Sequence, residues 1–261
     1  VDNDYGADTP RLYREWYNAS KIAATASIET NKEKDQSVSI IVSRSLLEGD
    51  ATLQQTYQIF ANGIVQITNN FKAIKGKTPE NKLVAGSWRK LKKGEHSNMY
   101  RFGNKFVLTK DFKLASWYGR GPNESYIDRK LSQHIGIYKT KISDLFTMYA
   151  RPQENGNRTD VRWVQLSKEN GASLFFISKK LFNFSASHFT VEDLDSGLKK
   201  ATTQKHGRLL KPRDSVFLNI DGFTSGVGGV DSWGTLPRKE YLLPYQDYNY
   251  SYWIVPKKER K

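Results

Sequence analysis

No cysteine occurs among the 261 residues, which excludes disulfides and thiolate metal sites and leaves the compartment open. Histidine is nearly as scarce. His96, His134, His188 and His206 stand apart, no two at the spacing with which a helix or strand presents paired metal ligands. No apolar run approaches the roughly 20 residues that a membrane-spanning helix needs, so no membrane is expected as a partner. The amino-terminal residues do not have the form of a signal peptide. The sequence opens on Val1 in VDNDYG, which reads as a fragment or a processed product. Phosphate loops, dinucleotide fingerprints and nucleophile elbows are all missing. No repeat period is visible and no low-complexity linker divides the chain, so residues 1–261 read as one large domain.

Acidic residues are in the minority. Lys and Arg number 41 against 27 Asp and Glu, a net charge of +14, which raises the question of nucleic acid. Residues 72–113 carry much of the excess, with twelve Lys or Arg facing only Glu80, Glu95 and Asp111. In 105-KFVLTKDFKLASW-117, however, the lysines mostly alternate with apolar residues, as on the solvated face of antiparallel strands. With no zinc-finger, RNA-recognition or helix-turn-helix signature beside it, the charge alone does not make nucleic acid the expected partner.

Strand signals dominate. Residues 38-VSIIVSRSLL-47 are apolar and β-branched, and 53–71 read as two strands joined at Asn62-Gly63. A second hairpin is predicted at Gly103-Asn104, between 98–102 and 105–109, because Gly suits the first position of a type II′ turn. Further strands are predicted at 160–166, 173–178, 215–223 and 249–255, and residues 74–96 read as an exposed loop. Two short helices are expected. One follows Thr9-Pro10, with Thr9 as N-cap and Leu12 and Trp16 on one face. The other follows Thr190, where Thr190 and Asp193 form a capping box and Lys199 and Lys200 lie at the far end.

Two dense segments bear on chemistry, 117-WYGRGPNESYIDRK-130 and 151-RPQENGNRTDVRW-163. Glycosidic hydrolysis needs two carboxyls flanking one bond, and Glu124 and Glu154 are the candidates here. The arginines around them favour another role, a hydrogen-bonded polar bracket that fixes loops. A third segment, 226-GVGGVDSWG-234, ends a glycine-rich loop on an indole. The residues alone leave two readings for Trp233: a plug in the end of a sandwich, or a flat platform offered to a ligand.

Taken in order, VDNDYG, WYGRGPNESYIDR, RPQENGNRTDVRW, FSASHFTVEDL and LKPRDSVFLNIDGFTSGVGGVDSWG resemble the C-terminal domain of large bacterial β-galactosidases, the lactose-operon type of glycoside hydrolase family two. The likeness runs from Val1 to about Pro256. It implies an all-β fold, a large antiparallel β-supersandwich akin to galactose mutarotases, in agreement with the strand signals. It also implies that Trp233 reaches a neighbouring active site and stacks on the sugar beside the galactose, with Asp231 and Ser232 bracing the loop. Gly6 would be a hinge where a mobile loop starts, or an ordinary turn. The family commonly has two consecutive acids before Ser-Trp, and this chain has Val230-Asp231 instead, one acceptor fewer. The family's supersandwich also begins several strands before VDNDYG, so this chain is expected to lack its first strands and to be a fragment of a larger enzyme.

The chemistry that the resemblance implies is retaining hydrolysis of terminal β-D-galactosides such as lactose, by two glutamates with magnesium and sodium ions. All of those groups belong to a (β/α)8 barrel and other upstream domains. No cofactor or metal is expected on this segment, no catalytic residue maps onto it, and alone it is expected to be inactive. The full-length parent is expected to be a homo-oligomer. A free-standing carbohydrate-binding or structural β-sandwich is the alternative. An aldose mutarotase would need a histidine acid and a carboxylate base in one cleft, and that pair is not assembled by these motifs.

Overall fold

Residues at alternate positions of a strand point to opposite faces, and this rule shapes the sheet. The computed structural model describes residues 2–21, 26–79, 91–195, 197, 206–228, 231 and 234–258. Its strands are β1 (Ala26–Lys32), β2 (Val38–Leu46), β3 (Ala51–Ile59), β4 (Val65–Ala73), β5 (Arg101–Thr109), β6 (Phe112–Gly121), β7 (His134–Lys141), β8 (Arg158–Lys168), β9 (Ser173–Ser187), β10 (Ser215–Thr224) and β11 (Tyr248–Lys257). They form one antiparallel sheet in the order β1-β2-β3-β4-β11-β9-β8-β6-β7, with β10 pairing β9 and β5 off that path.

Two strands bring the halves of the sheet together. β9 is 15 residues long. Its first part pairs with β11 through Ser173–Ile177, and its second part pairs with β10 through Asn183–Ser187. β11 in turn lies between β9 and β4. The inward rows read directly from the sequence: Val216, Leu218 and Ile220 on β10, Tyr248, Tyr250 and Tyr252 on β11, and Phe182, Phe184 and Ala186 on β9 are all buried. Trp117 of β6 joins this core and meets Phe184 edge-on at 5.8 Å. Its indole N–H donates to the carbonyl of Arg120 at 2.9 Å, so burying the ring strands no polar atom.

The Asn62-Gly63 hairpin forms between β3 and β4. Gly63 takes the left-handed φ of +82° that favours glycine, and Asn62 accepts from the N–H of Ile64. The hairpin predicted at Gly103-Asn104 does not form, because β5 runs straight through both residues. Two side chains explain the difference. A β-carbon on Gly103 would overlap the carboxylate of Asp221 on paired β10, 2.7 Å from its Cγ. Asn104 accepts from Asn69 Nδ2 at 2.8 Å, Tyr250 OH at 2.8 Å and Tyr252 OH at 3.0 Å, joining β5 to β4 and β11. Glycine and asparagine therefore serve close packing and a buried network here.

The first predicted helix is divided. Helices α1 (Asp2–Gly6), α2 (Thr9–Leu12) and α3 (Arg14–Lys21) follow one another, with a break at Tyr13. Asp8, in the left-handed region, stands at the N-cap of α2 in place of Thr9. Thr9 is buried, and its hydroxyl lies 2.5 Å from Tyr100 OH. Leu12 and Trp16 still face inward. Trp16 packs edge-on against Phe71 at 5.8 Å and donates to the carbonyl of Ser97. Below α3, His96 lies between Glu15 and Asp50, 3.1 Å from a carboxylate oxygen of each. The second helix, α4 (Val191–Leu194), has the expected capping box between Thr190 and Asp193. It is one turn long, and Lys199 and Lys200 lie outside the described residues.

Candidate functional site

The glycine-rich segment leaves the end of β10 and is held at its root. Ser225 N–H donates to the carbonyl of Tyr100 at 2.8 Å and Gly226 N–H to that of Tyr241 at 2.7 Å. The next two amides, Val227 and Gly228, both donate to the carboxylate of Asp128, at 3.1 and 2.9 Å. Successive backbone N–H groups converging on one anion form a nest; here the anion is supplied by the loop after β6. Gly226 must lack a side chain, since a β-carbon there would fall 2.5 Å from Asp128 Oδ2. Gly228 has a φ of +71°, in the left-handed region that favours glycine.

The far end of the segment is also packed. Gly234 has a φ of +98°, and a β-carbon on it would overlap the backbone of Gly6 and Ala7. Gly6 itself is the last residue of α1. The structure thus brings Gly6 and the end of the tryptophan loop together, although they lie more than 220 positions apart. Asp231 is exposed, and its carboxylate accepts from both the N–H and the hydroxyl of Thr235. Ser232 and Trp233 lie outside the described residues.

The two glutamates weighed as catalytic candidates sit in separate networks. The Glu124 side chain is 7% exposed. Oε1 accepts from Arg129 at 2.9 Å and from Tyr149 OH, and Oε2 accepts from Gly156 N–H at 2.9 Å and from Tyr126 OH at 3.3 Å. Four donors from two loops converge on one carboxylate, the arrangement of a loop bracket. Asp160 forms a similar node, accepting from Arg120 and from Lys130 Nζ at 2.9 Å. Burial works to raise its pKa, but those two cations outweigh it and hold the carboxyl below its ordinary value.

Glu154 accepts from Arg101 at 3.1 Å, and the same guanidinium lies 3.4 Å from Asp221 Oδ2. Asp221 is buried, and no group donates to its Oδ2 among the described residues. Burial pushes its carboxyl up to about 6, against the pull of Arg101 and with a further push from the charge of Glu154. Arg158 is buried too. It donates to the carbonyls of Leu145, Gly156 and Pro122, and its cation lies over the Trp117 ring at 5.4 Å. Desolvation lowers its pKa to about 10, the charge of Glu124 resisting. His188 Nδ1 lies 3.0 Å from the carbonyl of Ser215.

Among the described residues no group of three or more His, Asp or Glu could hold a metal ion. No described helix is long and apolar enough to cross a membrane. Sequence reasoning missed Asp128. Nothing local marks it, because its partners lie a hundred residues away and are backbone amides, which carry no residue signature.

The family model described as beta galactosidase small chain matches residues 1–254. The chain is similar to a β-galactosidase of Streptococcus thermophilus, 28% identical over 98% of this chain and 23% of that protein. A β-galactosidase of Lactobacillus delbrueckii subsp. bulgaricus is 31% identical over 94% of this chain and 22% of its own length. The chain thus spans under a quarter of the length of these curated relatives. Among solved structures, a galactose mutarotase related enzyme from Lactobacillus acidophilus aligns with 90% of this chain and 73% of its own, at 8% identity and a TM-score of 0.38. With the family model covering nearly every residue, this chain belongs to the β-galactosidase small-chain family.

Proposed function

We propose that this chain serves the aglycone side of a retaining β-galactosidase that hydrolyses terminal β-D-galactosides. Trp233 offers an indole face to the sugar leaving or accepting the galactosyl group. The apolar face of a pyranose lies well on such a ring, and the contact tolerates several aglycones. Asp231 and Ser232 brace the loop, and Gly6 lies at its base. The two catalytic glutamates and the magnesium and sodium ions belong to the barrel and other domains of the parent, which dock on this β-supersandwich and complete its sheet. The full enzyme is a homo-oligomer. One observation supports the reading above the others: the loop bearing Trp233 is pinned by described residues on both sides, at Asp128 and at Gly6, as a presented platform requires.

Trp233→Ala in the full-length enzyme tests it. Affinity for glucose as galactosyl acceptor should fall more than the rate of galactosyl cleavage, and an unchanged acceptor affinity counts against the platform. The isolated 261-residue chain should not cleave a chromogenic β-galactoside. Turnover by it would overturn the division of labour.

A further inference from the structure

One face of the sheet changes character halfway across. On β4 and β3 its outward positions pair as Gln66–Gln58, Thr68–Thr56 and Asn70–Gln54, the polar ladder expected where a sheet meets water. On the same face, the row through Gln66 continues across β11, β9, β8, β6 and β7 as Trp253, Ile177, Trp163, Tyr118 and Ile137, each paired directly with the next. Their neighbours along the strands, Tyr252, Phe176, Val164 and Trp117, point the other way and are buried. Ile137 is 71% exposed, and Tyr118 and Ile177 are exposed with it. Phe175 stacks on Trp163 at 5.2 Å and widens the strip, as does exposed Ile135 on β7, the last strand of the sheet. Four strand spacings make the row about 19 Å long. With its flanking residues the strip covers on the order of a few hundred Å², the scale at which exposed apolar surface marks an interaction site.

The charge around the strip has one sign. β6, β7, β9 and β11 contain no Asp or Glu. Arg162 lies over the Tyr118 ring at 5.0 Å, Lys179 over Trp253 at 5.7 Å and Lys257 over Phe175 at 5.3 Å. Exposed Lys139 follows Ile137 on the same face. Among the described residues none of these four cations is in an ion pair. Their stems extend the apolar surface and their charged heads border it. A second copy laid face to face would set cation against cation, so the surface fits an unlike partner, apolar at its centre and bordered by carboxylates. The chain covers only 23% and 22% of the two β-galactosidases compared above, and the rest of such a parent is the source of that partner. We propose that the aromatic face of β7-β6-β8-β9-β11 is where a carboxylate-bordered apolar surface of the parent's other domains docks. This rests on one part of the functional reading, that further domains of a β-galactosidase pack on this chain, and does not depend on Trp233.

The test is made on the full-length enzyme. Hydroxyl-radical footprinting should find Tyr118 protected there, although it is exposed in this chain. Ile137→Glu sets a carboxylate against carboxylates and should raise the labelling of Tyr118 several-fold. Ile137→Lys is as polar but of the matching sign, and should raise it less. Ile137 is exposed enough for both variants to fold, and Ile135→Glu beside it gives a second reading. Carbodiimide, which joins an amine only to a carboxylate in contact with it, should link Lys139, Lys179 or Lys257 to Asp or Glu of the other domains. Free labelling of Tyr118 in the wild-type enzyme overturns the proposal. So do equal effects of the two Ile137 variants, or links that run only to residues 1–261 of a second copy. Protection of Tyr118 that arises only when phosphatidylserine vesicles are added overturns it in favour of a lipid surface. A parent that carries no further domains sinks the functional reading itself, and the mass of the purified enzyme tells that failure from the others.

Discussion

Replacing Glu124 by glutamine separates a structural carboxylate from a chemical one. An amide can keep its carbonyl where Oε2 stands and go on accepting from Gly156 N–H and Tyr126 OH. Its NH2 group then faces Tyr149 OH and Arg129. The tyrosine hydroxyl can rotate and accept, but the guanidinium is a donor only, so one bond is lost outright and the charge behind the others disappears. Arg129 is 55% exposed and can turn to water, which discounts its share. The expected cost is about 2 kcal/mol, or a fall in Tm of roughly 4–8 °C for a domain of this size. Urea unfolding of the chain should show a lower midpoint at an unchanged m-value. In the full-length enzyme kcat for galactosyl cleavage should hold, whereas loss of a general acid or base lowers it by about 10²–10⁴-fold. Such a loss at unaltered stability would refute the bracket and restore Glu124 as a proton-transfer group.

Gly103→Ala drives a β-carbon into Asp221, including its backbone Cα at 2.8 Å, and should destabilise by about 3 kcal/mol; a variant within about 0.5 kcal/mol of wild type would show that β5 and β10 do not pair in this register. Asp221 is held near pKa 6 by burial, above its unfolded value, so folding favours its protonated form. Asp221→Asn should therefore gain on wild type as pH rises from about 4 to about 6, by up to about 3 kcal/mol, and a difference that stays flat across that window in urea titrations would rule this out. The opposite sign holds at Asp193, where hydrogen bonds from Arg213 chiefly, with the capping box, hold the carboxyl at about 2. That contribution is present above about pH 4 and is lost as pH falls through about 2, so Arg213→Ala should lower stability slightly at pH 7 and by less at pH 2.

Periodicity carried the strands because the physics behind it is local. Alternating tyrosines at 248, 250 and 252 and alternating Val216, Leu218 and Ile220 declare their inner face wherever the partner lies. The Thr190–Asp193 box was equally legible, since all of its atoms fall within four residues. Signals failed where one residue type serves two physical ends. Gly103-Asn104 has the chemistry of a tight turn, and only the position of Asp221, over a hundred residues away, shows that the glycine makes room for a neighbouring side chain. Thr9 has the chemistry of an N-cap and spends its hydroxyl on Tyr100 instead. The arginine-flanked glutamates were read as brackets from composition, and the donors around Glu124 came from tyrosines and an amide as much as from arginine. Asp128 was invisible for a further reason: anchoring a backbone leaves no mark on the sequence being anchored.

The place of β11 bears on how the molecule is made. Residues 248–257 fill the slot between β4 and β9, so the ladder from β1 to β4 has no neighbour to join until they arrive. A nascent chain emerging in order from the ribosome must keep two half-sheets waiting, each with an open edge on which another polypeptide could pair. Stopping synthesis at residue 247 would leave those halves apart, and a synthetic 248–257 peptide supplied in trans should zip them together.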